Sequence, residues 1–71
     1  MADLRNLALS LMEKRLEKGV SQSELAELTG IAQKTISRIE NGHDTPKYET
    51  LLKIANALGY SLTIGIEKGD K

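Results

Sequence analysis

A chain of 71 residues is a single domain that buries only about 60% of the surface its unfolded form exposes, which leaves little room for a deep catalytic cavity. Apolar residues make up 39% of it and charged residues 28%, which excludes a disordered tail and fits a small globule. Ten basic residues balance ten acidic ones and there is no cysteine, so bulk charge gives no warrant for nucleic-acid binding, and neither a disulfide framework nor a thiolate metal site can form.

No apolar run approaches the roughly 20 residues needed to cross a bilayer, and Asp3 stands where a signal peptide would be basic. A reducing cytoplasm is the expected setting, with no membrane association. Residues 3–18 read as an amphipathic helix, with Leu4, Leu7, Ala8, Leu11 and Leu16 at mostly three- and four-residue spacing and charged residues filling much of the remainder. Gly19 can close that helix in a left-handed conformation, and Lys18 complements the negative end of its dipole.

Ser21-Gln22-Ser23-Glu24 has the capping-box pattern. The Ser21 hydroxyl can accept from the Glu24 N–H while the Glu24 carboxylate accepts from the Ser21 N–H. Leu25, Ala26 and Leu28 supply an apolar side, and Thr29-Gly30 ends the helix after about two turns. Such a helix is too short to stand alone. Residues 32–41 form a third helix, with Ile36 and Ile39 facing inward and Gln33, Lys34, Ser37, Arg38 and Asn41 facing outward. Asn41-Gly42 then tolerates positive φ at its end, and residues 43–46 make a polar loop. A fourth helix runs to Leu58 with Leu51, Leu52, Ala55 and Leu58 on its buried side, and Gly59 stops it.

Beyond Gly59 the period becomes two: Tyr60, Leu62, Ile64 and Ile66 alternate with Ser61, Thr63 and Gly65, as in a strand with one buried face. The chain contains no second strand candidate. The same segment of another copy, antiparallel across a two-fold axis, would satisfy the open backbone groups. A homodimer built on Leu62, Thr63, Ile64 and Ile66 is therefore expected. Residues 1–66 form one domain with this terminal strand, and residues 67–71 a short charged tail.

Two short helices joined by a glycine turn, the second anchored by inward isoleucines, match the helix-turn-helix arrangement, whose second helix enters the DNA major groove. Gln33 can read an adenine edge bidentately, and Lys34 and Arg38 can donate to guanine or phosphate. Ala32 offers a base no polar handle but could touch a thymine methyl. At Gln22, the free N–H groups and positive dipole end of the helix favour an anion, although an ordinary solvated residue would also fit. His43 either donates to phosphate or is simply solvated, and one histidine without cysteines cannot make a zinc site. Serines, carboxylates and that histidine form no nucleophile-base arrangement, so no enzyme activity, metal or cofactor is expected.

The run SQSELAELTGIAQKTISRIENG, continued by PKYETLLKIANALG, resembles the helix-turn-helix core of Cro and phage-repressor transcriptional regulators, the lambda-repressor-like or XRE type. The resemblance implies a mainly α fold, a bundle of four helices, to which the C-terminal β-strand pairing across a dimer is added. It also implies that Gln22 holds a phosphate, that Gln33, Lys34, Thr35, Ser37 and Arg38 face the groove, and that Asn41 contacts the DNA backbone. Arg15 and Glu40 match positions that form a buried ion pair in similar repressors; solvation of each is the alternative. Lys47 stands where relatives often carry a serine cap, so the fourth helix is capped by Thr45 or left partly open, and Lys47 either meets phosphate or is a solvated lysine.

The expected function is a sequence-specific regulator of double-stranded DNA, a repressor binding a two-fold operator as a dimer, in the cytoplasm and nucleoid of a prokaryote or phage-infected cell. The alternative is the antitoxin of a toxin-antitoxin pair, which binds a toxin partner and represses its own operon. A scaffold without DNA is disfavoured by Gln22, Gln33, Lys34 and Arg38 sharing the DNA face.

Overall fold

The computed structural model describes residues 4–61. Its helices are α1 (Leu4–Glu17), α2 (Gln22–Thr29), α3 (Gln33–Glu40) and α4 (Tyr48–Ala57), in the expected number and order. Among the described residues there is no strand. The expected dimer strand, with Leu62, Thr63, Ile64 and Ile66, lies outside the described residues, as do Asp3 and the charged tail.

One core joins all four helices. Ala8 and Leu11 of α1, Leu25 of α2, Ile36 and Ile39 of α3, and Leu51, Ile54 and Ala55 of α4 are buried together with Leu58. The helix α1 packs on α3 and α4, and α2 packs on the same two. Three inward assignments change. Leu16 is 58% exposed, because the inward stripe Leu4, Ala8, Leu11 continues onto Arg15, and one residue further on is rotated by about 100°. Leu28 is 63% exposed; α2 is wedged by Leu25, and Leu28 sits at the rim of a groove with Lys53, Asn56 and Ala57 of α4. On α4, Ile54 is buried while Leu52 is only half-buried, since Ile54 lies on the same stripe as Leu51, Ala55 and Leu58.

The local signals at the helix ends are realised as hydrogen bonds. Ser21 Oγ accepts from the Glu24 N–H at 2.9 Å, and Glu24 Oε1 accepts from the Ser21 N–H at 2.9 Å, so the capping box fixes where α2 begins. Neither Ala32 nor Lys47 caps its helix through a side chain, so α4 starts partly open. The turn between α2 and α3 depends on Gly30, whose φ is +76° and whose N–H donates to the Ala26 carbonyl at 2.8 Å. The Thr29 hydroxyl donates to the Leu25 carbonyl at 2.8 Å and accepts from the Ile31 N–H at 3.1 Å. These bonds turn the chain sharply enough to bring α3 against α2.

At the other end of α3, the His43 N–H donates to the Arg38 carbonyl at 2.9 Å and the Gly42 N–H to the Ile39 carbonyl at 3.2 Å. This is a Schellman closure, and Gly42 takes its left-handed position at φ +79°. After α4 the chain returns to α1: the ammonium groups of Lys14 and Lys18 lie 5.7 and 5.3 Å from the centre of the Tyr60 ring, within cation-π range.

The ion pair expected between Arg15 and Glu40 is present and buried. Arg15 Nε donates to Glu40 Oε2 at 2.7 Å and Nη2 to Oε1 at 2.9 Å, with the two side chains 9% and 7% exposed. Arg15 Nη1 donates to the Val20 carbonyl at 2.7 Å. One guanidinium thus ties the end of α1, the lead into α2 and the end of α3.

Two stability outcomes follow, each read by urea denaturation. Gly30→Ala should cost about 1 to 2 kcal/mol, the strain of a Cβ in the left-handed region, because a Cβ there meets nothing within 4 Å; an unchanged midpoint would mean the turn relaxes. Arg15→Met leaves Glu40 buried beside an apolar side chain and should cost about 3 kcal/mol. Adding Glu40→Leu should recover part of that loss, since the unpaired charge goes with it.

Candidate nucleic-acid interface

Helical geometry separates α3 into a back and a front. Ile36 and Ile39 are buried and Glu40 is held by Arg15, which fixes the back. At 3.6 residues per turn, Lys34, Ser37, Arg38 and Asn41 then lie opposite, and Gln33 and Thr35 occupy the two flanks. Gln33, Lys34, Thr35, Arg38 and Asn41 are exposed and Ser37 half-buried. Thr35 borders a shallow groove with Ile39, Asp44, Thr45, Pro46, Lys47 and Thr50, so its flank faces the loop between α3 and α4. Asn41 Nδ2 makes a long contact of 3.4 Å with Ser37 Oγ, which couples those two residues one helical turn apart.

Gln22 opens α2 and is joined to α3. Its Nε2 donates to Glu40 Oε1 at 2.8 Å, so one amide hydrogen is already committed and one remains. The first α2 bond runs from the Leu25 N–H to the Ser21 carbonyl, and Ser21 Oγ takes the Glu24 N–H. The N–H groups of Gln22 and Ser23 are therefore the donors left at this helix end. Glu24 places one carboxylate in the same turn, so an anion here would be held by directed hydrogen bonds more than by dipole charge.

The charges on the front are sparser than the sequence implies. Arg38 Nε donates to Asp44 Oδ2 and Nη2 to Oδ1, both at 3.0 Å, an exposed bidentate pair. The two bonds from Arg38 hold the Asp44 carboxyl below the usual carboxylate range, and the same bonds raise Arg38 above its ordinary value. Because the folded value of Asp44 is the lower one, this stabilisation is in force above the ordinary Asp range and is lost as pH falls through the folded value. Lys34 and Lys47 make no ion pair among the described residues. His43 and Lys47, from the loop, are exposed.

The structure thus brings Gln22 and the α3 front into one unit through Glu40 and sets the loop residues at its edge. Sequence reasoning missed Asp44 and the Gln22 to Glu40 bond. Both join residues across a turn or between helices, where helical periodicity carries no signal; a carboxylate just past the glycine stop of a helix carrying an outward arginine was the available clue for Asp44. No helix among the described residues is long and apolar enough to cross a membrane.

A family model described as helix-turn-helix matches residues 11–64. The chain is 43% identical over 58 residues to an uncharacterized HTH-type transcriptional regulator of Haemophilus influenzae, covering 82% of this chain and 59% of that protein. It is 41% identical over 58 residues to antitoxin HipB of Escherichia coli K12, covering 82% of this chain and 66% of that one. Over 64 residues it is 34% identical to the ImmF control region 10 kDa protein of Bacillus phage phi105, covering 90% and 71%. Among solved structures, a toxin-antitoxin module from Streptococcus pneumoniae superposes with a TM-score of 0.71 at 33% identity, covering 87% of this chain and 73% of that one. The chain spans 59% of the length of the Haemophilus relative. The chain belongs to the helix-turn-helix family of transcriptional regulators, of the XRE type.

Proposed function

We propose that the chain is a sequence-specific repressor that binds a two-fold double-stranded operator as a homodimer, with one α3 in each of two successive major grooves about 34 to 36 Å apart. The observation that carries this reading is the division of α3: Ile36, Ile39 and Glu40 fix it from behind, while Lys34, Arg38 and Asn41 stand exposed in front and Gln33 is exposed on one flank. Gln33, Lys34 and Arg38 supply the amide and cationic donors suited to adenine and guanine edges, with Thr35 and Ser37 alongside them. Gln22 offers a phosphate its second amide hydrogen and the adjacent N–H groups. Asn41, His43 and Lys47 flank the groove residues as backbone contacts, which position the helix without reading sequence.

Near-zero net charge makes nonspecific affinity modest, so base contacts and dimerisation carry more of the binding and its salt dependence is shallow. Dimerisation is assigned to Leu62, Thr63, Ile64 and Ile66, and the site of action to the cytoplasm and nucleoid. A second reading, an antitoxin that also represses its own operon, is supported by the likeness to HipB and to the toxin-antitoxin module. The two roles are compatible. A toxin-like reading frame beside the gene favours the antitoxin role, and its absence favours a plain or phage-derived repressor.

Lys34→Ala and Arg38→Ala should each weaken operator binding by about tenfold while leaving helical content and the unfolding midpoint near wild type. Unchanged affinity in both variants would contradict the assignment of this face. In equilibrium sedimentation at micromolar concentration, the full chain should be a dimer and a version ending at Gly59 a monomer; monomers in both cases would remove the strand-mediated dimer.

A further inference from the structure

A guanidinium has two edges that can each make a pair of parallel hydrogen bonds, one from Nε and Nη2 and one from Nη1 and Nη2. In Arg38 the first edge is filled by Asp44, at 3.0 Å on both bonds. The second edge has no acceptor among the described residues, and the Arg38 side chain is 49% exposed. We propose that Asp44 is a positioning residue for sequence reading: it clamps Arg38 by one edge so that the opposite edge is presented, already oriented, to a guanine in the major groove. The inference rests on the placement of α3 in the groove and deepens it by naming the base read and the group that aims the reader.

Three features favour this over a carboxylate that merely opposes DNA. The first is that Asp44 is carried by a fixed turn: the Arg38 carbonyl itself accepts from the His43 N–H at 2.9 Å, and Pro46 just beyond is buried. Donor and acceptor therefore belong to one rigid unit, and the clamp survives without a long flexible loop. The second is that an exposed arginine has many rotamers, and ordering it before docking removes part of the cost that binding would otherwise incur. The third is chemical. Guanine presents O6 and N7 as two acceptors side by side, whereas adenine presents N7 beside the N6 donor, so the free edge of Arg38 fits guanine and is opposed by adenine. A phosphate could also take that edge, but it would give no preference among bases.

The test is selection of bound duplexes from a randomised library by the full chain, by Arg38→Ala, by Asp44→Ala and by both together, each first checked for wild-type helical content. Wild type should enrich one G·C pair in each half-site that Arg38→Ala no longer requires. Asp44→Ala should lower the preference for that same pair by about fivefold or more and leave other positions unchanged, and it should add nothing to Arg38→Ala. Asp44→Asn, which keeps one acceptor oxygen in the same shape, should fall between and serves if the alanine variant unfolds. The proposal is overturned if the Asp44 variants keep the G·C preference, or if they change affinity equally for all duplexes while Arg38→Ala still loses that preference; the groove reading then stands. If wild type enriches no site, or Arg38→Ala leaves the profile intact, the groove reading fails and this inference fails with it.

Discussion

The Arg15 guanidinium makes three short bonds in a place that water barely reaches, two to Glu40 and one to the Val20 carbonyl. Glu40 in turn accepts from Gln22, so the end of α1, the start of α2 and the end of α3 converge on one carboxylate. A buried ion pair of this kind adds little net stability over apolar side chains of similar size, but losing one partner is costly. What the network contributes is geometry. It leaves α3 one orientation relative to α2, which is what a helix that must present a defined face requires.

That same carboxylate would otherwise be a liability near DNA. Glu40 lies at the end of the helix whose front carries the cationic residues, and Arg15 neutralises it from behind. On the front, Asp44 offsets Arg38, leaving Lys34 and Lys47 as cations without an ion pair among the described residues. A face with so few uncompensated charges gains little from counterion release. In the proposed complex directed hydrogen bonds then supply more of the affinity, and directed bonds work only if the donors are held in place. The buried network and the exposed pair solve the same problem at two depths: one fixes the helix, the other fixes a side chain upon it.

Much of this was legible from local chemistry. The capping box at Ser21, the turn at Gly30 and the closure at Gly42 each depend on residues within a few positions of one another, and each formed as the residue types require. Ile36 and Ile39 were equally plain, because α3 is so polar elsewhere that only they can face a core. Leu16 and Leu28 were misread for the converse reason: apolar residues at helical spacing occur on both sides of a short helix, and the side buried is decided by partners distant in sequence. Arg15 shows this most clearly. Its burial depends on Glu40, twenty-five residues on, and resemblance to repressors, more than periodicity, pointed to it. The Arg38 pairing with Asp44 depends on how the Gly42 turn folds the loop back, which helical periodicity does not encode.

In the proposed complex the fixed front of α3 lies in the major groove of a two-fold site. Dimethyl sulfate probes that directly, since it methylates guanine N7 in the major groove and adenine N3 in the minor groove. With the full chain bound to a selected duplex, guanine N7 should be protected in two patches about one helical turn apart, while adenine N3 between them stays reactive. Protection of adenine N3 with guanine N7 left open, or a single unpaired patch, would contradict it.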